Sequence, residues 1–191
     1  GGGEGSEPPL DDGHPRVFCF GGSQGARAVN KLMVDAAIEL RAAGMELAIV
    51  HQTGKDDCAA VAERYRAAGI GADVREFIDD MASEYARADL VVSRSGATTV
   101  AELTIMGRPA ILIPFPSAAD DHQTSNAAEL VAAGAALVLK QADIDGAKLA
   151  AVIGSLAQDP DRLEQMGAAM RSLGRPGAAA AIVDWLEQAK R

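Results

Sequence analysis

Short apolar runs alternate with longer amphipathic stretches along most of the chain. The runs at 16–20, 46–50, 72–76, 89–93, 110–114 and 136–139 read as buried strands. Between them, helical periodicity covers 25–43, 56–69, 81–87, 98–107 and 122–133. This alternation predicts the α/β class, with a Rossmann-like parallel sheet carrying helices on both faces. Three more helical stretches, 144–157, 160–173 and 177–189, close the chain. Pro160 and Pro176 fall where a first helical turn accepts proline, because the N–H that proline lacks has no partner there. Residues 1–15, GGGEGSEPPLDDGHP, show no apolar period and read as a flexible linker, which leaves 16–191 as the folded unit. No internal repeat interrupts this order.

Composition narrows the picture. At 191 residues and 48% hydrophobic, the chain can build a substantial core in one unit. It contains no apolar run near the ~18 residues that span a bilayer, and no signal-peptide pattern opens it, so a soluble cytoplasmic protein is expected. Cys19 in a strand and Cys58 in a helix make neither a metal spacing nor a disulfide framework. The net charge of −9 argues against a nucleic-acid backbone as partner, which needs concentrated positive surface. A small anion remains compatible: charges beyond about 8 Å are largely screened at physiological salt, so a local set of backbone N–H donors outweighs a distant acidic surface.

Sheets of this kind bind ligands beyond the carboxyl ends of their strands, so the chemistry is sought in the turns that follow them. The first, GGSQG at 21–25, opens a helix whose N–H groups suit a phosphate or a sugar, with Ser23 adding a hydroxyl. It lacks the Gly-Lys-Ser/Thr of a Walker A loop, and Phe20 sits where a GxGxxG would start, so a tight glycine turn without a ligand explains it equally well. The segment IVHQTGK after the second strand has no acid to hold a dinucleotide ribose, which disfavours NAD. In EFIDDM the aspartates read as helix caps rather than metal ligands. Phe77 and Ile78 form either an apolar wall for a planar base, with hydrogen bonds from the Ile78 backbone, or ordinary core.

The turn SRSGATTVAELTIMG, 93–107, carries the strongest signal. Small residues open a helix there, so the N–H groups of Ala97, Thr98 and Thr99 can meet a diphosphate, with Glu102 one turn inside to accept from ribose hydroxyls. A capping box from Thr99 to Glu102 competes, and taken alone it is the better reading. In PFPSAADDHQTSNAAEL, Gln123 both donates and accepts, as sugar hydroxyls require. His122 is either a base or a structural histidine. Ligand-type groups thus gather at four strand ends, and their convergence favours function over each local alternative.

The segments FGGSQGARAVN, HQTGK, EFIDDM, RSGATTVAE and PFPSAADDHQTSNA, in this order over about 16–190, resemble the carboxyl-terminal half of the MurG family of bacterial glycosyltransferases. That resemblance implies the GT-B fold, with this half binding UDP-N-acetylglucosamine. An amino-terminal half, absent from these residues, would bind the undecaprenyl-linked acceptor lipid I, and inverting transfer would yield lipid II for peptidoglycan. Carried over by position, Ser23 contacts the donor near its phosphates and Ile78 meets uracil through its backbone. Ala97, Thr98, Thr99, Val100 and Ala101 hold diphosphate and ribose, Glu102 the ribose, and Gln123 the sugar. The resemblance therefore sides with a ligand role for Glu102.

The family's Gly-rich acceptor loop, its proposed base histidine and its Asn-Pro-Val-Arg stretch do not occur here, and Arg16 is too close to Ser23 to replace that arginine. No catalytic base is therefore assigned, no metal or other cofactor is called for, and the chain alone is expected to be inactive. Membrane contact is expected only for the intact protein. The alternatives are another GT-B UDP-sugar transferase, a UDP-sugar epimerase, or a non-catalytic nucleotide-binding module.

Overall fold

A computed structural model describes residues 13–21, 26–116 and 121–174. The six strands are β1 (Arg16–Phe20), β2 (Ala48–Gln52), β3 (Ala72–Arg75), β4 (Leu90–Ser93), β5 (Ala110–Leu112) and β6 (Ala136–Val138). The helices are α1 (Arg27–Ala42), α2 (Cys58–Ala67), α3 (Met81–Arg87), α4 (Ala97–Met106), α5 (Asp121–Ala132), α6 (Gly146–Ala157) and α7 (Pro160–Leu173). The strands form one sheet in the order β3-β2-β1-β4-β5-β6, every neighbouring pair parallel. This is the α/β class that the alternation predicts.

Successive strand side chains point to opposite faces, and β1 shows why both faces are covered. Val17 and Cys19 join a core built with α1, α2 and α6, including Met33, Tyr65 and Leu149. Phe18 and Phe20 join a second core with Tyr85 of α3, Leu103 of α4 and Leu130 of α5. A strand buried on both sides reads as a continuous apolar run, which is how β1 appears in the sequence. Burial pushes the Cys19 thiol far above its ordinary pKa, so it packs as a small apolar group.

The helix starts follow local chemistry. Asp80, Asp145 and Asp159 cap α3, α6 and α7 by accepting the N–H of Ser83, Lys148 and Arg162. The aspartate of EFIDDM thus caps, as its sequence suggests, and Pro160 opens α7. Several boundaries shift by one or two residues, and two of these shifts bear on the site. β2 begins two residues later than 46–50 and runs through His51 and Gln52, because pairing with both β1 and β3 extends to these polar residues. α4 begins at Ala97 with Gly96 as its N-cap, so Thr99 lies inside the first turn and cannot serve as the cap of a capping box. The helix expected over 177–189, Pro176 and most of the linker expected over 1–15 lie outside the described residues. Among the described residues no helix is long and apolar enough to cross a membrane.

Candidate functional site

The two central strands, β1 and β4, lie side by side, yet the helices that follow them cover opposite faces: α1 packs in the first core and α4 in the second. A crevice opens beyond the strand ends where connections diverge in this way. The candidate ligand groups come from the turns after β1, β3, β4 and β5.

Gly21 follows β1 and lies against Ala26, just before α1. A Cβ on this residue would stand 2.2 Å from the Ala26 Cβ and 2.8 Å from its backbone nitrogen, so the turn closes only around glycine. Ser23 falls in 22–25, outside the described residues. After β4, α4 starts with Gly96 as its N-cap, a residue with no side chain to cap the helix. The first N–H groups of an α-helix have no partner within it, and the helix dipole adds positive potential there. Ala97 and Thr98 are exposed at this end, with Thr99 half-buried behind them. Ala101 is exposed one turn on, and Val100 packs against the second core.

Glu102 does not turn back to the helix start. Its Oε2 accepts the hydroxyl of Tyr85 at 2.7 Å, and the Tyr85 ring packs edge-on against Phe18 and Phe20 at 5.5 and 5.8 Å. The capping-box reading of Glu102 is corrected accordingly: α4 starts too early for it, and Tyr85 supplies a buried donor that local sequence cannot show. Burial raises the Glu102 pKa, with the Tyr85 hydrogen bond opposing it.

After β3, Ile78 is buried and its N–H donates to Gln52 Oε1 at 2.8 Å, while the neighbouring Phe77 is 67% exposed. A base that used the Ile78 N–H would displace the Gln52 amide oxygen. After β5, the Phe115 N–H donates to Gln123 Oε1 at 2.9 Å, and the Ser95 hydroxyl donates to the Gln123 carbonyl at 2.8 Å. Asn126 in turn donates to the Ser95 carbonyl at 3.3 Å. The amino end of α5 is therefore tied to the turn before α4, and Gln123 is oriented between them. His122 is exposed on the same helix end.

Sequence reasoning missed two groups. Arg94 is buried, donates from Nη1 to the carbonyls of Ile113 and Pro114 at 3.0 and 3.1 Å, and lies 5.3 Å from the Phe115 ring centroid. It holds the segment after β5 in place; its signal was an arginine between two serines directly after a strand. Behind β2, His51 bonds Tyr65 Oη at 2.9 Å and Asn30 Oδ1 at 3.1 Å, and Asn30 donates to the Thr53 carbonyl and to Asp57. Its signal was a histidine directly after an apolar strand run and an asparagine on the apolar stripe of α1. Arg16 sits at the start of β1, the opposite end from Gly21, and pairs with Glu84 at 3.3 Å, far from any donor role. Among the described residues no group of three or more His, Cys, Asp or Glu side chains is arranged to hold a metal.

Together these features bring the start of α4, the half-buried Glu102 carboxylate one turn in and the oriented Gln123 amide to the carboxyl edge of the sheet. The chain is 50% identical over 177 residues to a UDP-N-acetylglucosamine–N-acetylmuramyl-(pentapeptide) pyrophosphoryl-undecaprenol N-acetylglucosamine transferase of Anaeromyxobacter sp. (strain Fw109-5). That match covers 93% of this chain and 46% of the relative, so the chain spans about half the length of the curated relatives it matches. Among solved structures it resembles MurG of Acinetobacter baumannii, with a TM-score of 0.80 and 33% identity over 94% of this chain and 51% of that one. This likeness bears out the carboxyl-terminal domain of a GT-B glycosyltransferase. An S. aureus MnaA structure with UDP matches at a TM-score of 0.63 and 16% identity, covering 89% of this chain and 44% of the other, and shows the fold alone. The sequence profile described as the glycosyltransferase family 28 C-terminal domain matches residues 16–182, and the chain belongs to that family.

Proposed function

We propose that this chain is the donor-binding half of a hexosyltransferase that moves N-acetylglucosamine from UDP-N-acetylglucosamine to lipid I, forming lipid II. One observation carries the reading: α4 starts at Gly96, which has no side chain to cap it, and the Glu102 carboxylate one turn in is held at one oxygen by Tyr85. The helix start and the carboxylate are thus both left to a ligand with a diphosphate and a ribose. The relatives' names supply the acceptor, which would meet an amino-terminal half beyond these residues. The intact enzyme would work at the cytoplasmic membrane face, with the anchoring surface on that other half.

In this mechanism the acceptor hydroxyl attacks the anomeric carbon, the bond to the diphosphate breaks, and UDP leaves. Charge develops on the departing diphosphate, and the N–H groups of Ala97, Thr98 and Thr99 stabilise it without reorganising. Loss of one such donor from an enzyme site costs about 3 kcal/mol in the transition state. Ser23 would lie near the phosphates, the Ile78 backbone at the uracil and Gln123 at the sugar. The UDP-sugar epimerase alternative shares the nucleotide part of this scheme and differs at the sugar end, where Gln123 stands.

Calorimetric titration with UDP-N-acetylglucosamine, UDP-glucose and NAD side by side tests the reading. UDP-N-acetylglucosamine is expected to bind best and NAD not at all; preference for NAD would overturn the assignment. Glu102→Gln should weaken UDP by roughly 1.5–3 kcal/mol, because a charge-assisted bond becomes a neutral one, while 2′,3′-dideoxy-UDP binds both proteins alike. Unchanged UDP affinity in that variant would remove Glu102 from the site. The purified chain by itself should form no lipid II from lipid I and UDP-N-acetylglucosamine, and turnover in that assay would show that acceptor site and base lie within these residues.

A further inference from the structure

We infer that Tyr85 is a positioning residue for the nucleotide: its hydroxyl occupies Glu102 Oε2 and thereby presents Oε1 of the same carboxylate to a ribose hydroxyl. The inference rests on the donor-site reading above and adds to it a residue from a different element, with no contact to the ligand required.

The geometry is specific. The Tyr85 ring is fully enclosed in the second core, edge-on to Phe18 and Phe20 of β1, so packing on α3 and β1 sets where its oxygen stands. A buried tyrosine hydroxyl needs a partner, and the one it finds is Glu102, 17 residues away in sequence and half-buried on α4. Among the described residues Tyr85 is the hydrogen-bond partner that Glu102 has. A phenol donates one proton, so it commits one carboxylate oxygen and leaves the other as an acceptor. A half-buried glutamate one turn inside the helix otherwise samples several rotamers, and binding a sugar would first have to order it. Held by Tyr85, the carboxylate is ordered before the nucleotide arrives, which is how a preorganised site gains affinity without a new contact. The same bond works against burial to keep Glu102 ionised, the form that accepts from hydroxyls.

Tyr85→Phe keeps the ring and removes only the hydroxyl. UDP affinity is expected to fall roughly fivefold to tenfold, less than the direct loss of a hydrogen bond to a charged group because Tyr85 acts only through Glu102, while 2′,3′-dideoxy-UDP binds wild type and variant within about twofold. In a Glu102→Ala background, Tyr85→Phe should cause no further loss of UDP affinity. Equal losses for UDP and dideoxy-UDP would overturn the inference, since a general loosening of the core affects both ligands. UDP affinity unchanged in Tyr85→Phe but lowered in Glu102→Gln would also overturn it and leave the donor site standing. UDP affinity unchanged in both variants would overturn the ribose site together with the inference. Glu102→Asp is a second arm that leaves the core untouched: its shorter carboxylate cannot hold Tyr85 and still face the ribose, so it should lose as much UDP affinity as Glu102→Gln. Affinity retained in Glu102→Asp would contradict the need for a fixed carboxylate.

Discussion

Replacing His51 by leucine should destabilise the fold by about 4 kcal/mol, because each buried polar group left without a partner costs about 1–3 kcal/mol and this change strands two. The roles in the network follow from its geometry. Asn30 gives its amide hydrogens to the Thr53 carbonyl and to Asp57, so Oδ1 faces His51 and can only accept. His51 therefore carries its proton on Nε2, and Nδ1 accepts from the Tyr65 hydroxyl. Leucine satisfies neither Asn30 Oδ1 nor the Tyr65 hydroxyl. Urea denaturation checks the size of the effect, and a loss below about 1 kcal/mol would contradict the network's importance.

The same residue sets a pH dependence. Full burial lowers the His51 pKa from 6.5 to about 3. Above pH 6.5 the ring is neutral in folded and unfolded chains alike, and its contribution is complete. As pH falls below 6.5 the unfolded chain takes up a proton that the native state refuses until about pH 3, so native stability is lost across that window. Each pH unit costs about 1.4 kcal/mol. The stability gap between wild type and His51→Leu should therefore shrink by about 3 kcal/mol between neutral pH and pH 4, and a gap constant across that range would show that His51 titrates normally.

Gly21→Ala should cost about 1–3 kcal/mol and take UDP affinity down at least tenfold. The new methyl would meet the Ala26 Cβ at 2.2 Å, its nitrogen at 2.8 Å and its Cα at 3.0 Å, and because two of these are backbone atoms the turn has to open at the switch point between β1 and β4. Gly96→Ala is the matched comparison. A Cβ there meets nothing within 4 Å, and its φ of −63° suits any residue, so the fold should change by no more than about 0.5 kcal/mol. Any UDP affinity lost in Gly96→Ala would then report the close approach of a ligand to the start of α4, not a damaged turn. Equal melting temperatures for the two variants would show that the Gly21 turn has room to relax.

Much of the site was legible before the fold. The turns after the strands lie in order along the chain, and their glycines, small residues, Glu102 and Gln123 can be read there as ligand groups because the position of a parallel sheet's binding edge follows from strand direction alone. Arg94, Tyr85 and Asn126 were not legible as site residues, since each acts by holding a group remote in sequence: Arg94 the carbonyl of Ile113, 19 residues on, and Asn126 that of Ser95, 31 residues back.

Element types, the aspartate cap of α3, the proline start of α7, the doubly buried β1 and the family are legible in the chain, since apolar period, capping and motif spacing act within a few residues. The placement of β4 beside β1, the extension of β2 through His51 and the partner of Glu102 emerge only from packing between distant segments. The physical reason is shared. A buried polar group must be paired, and its partner is whatever the packing brings near: Asn30 and Tyr65 for His51, 21 and 14 residues away, and Tyr85 rather than the neighbouring helix start for Glu102.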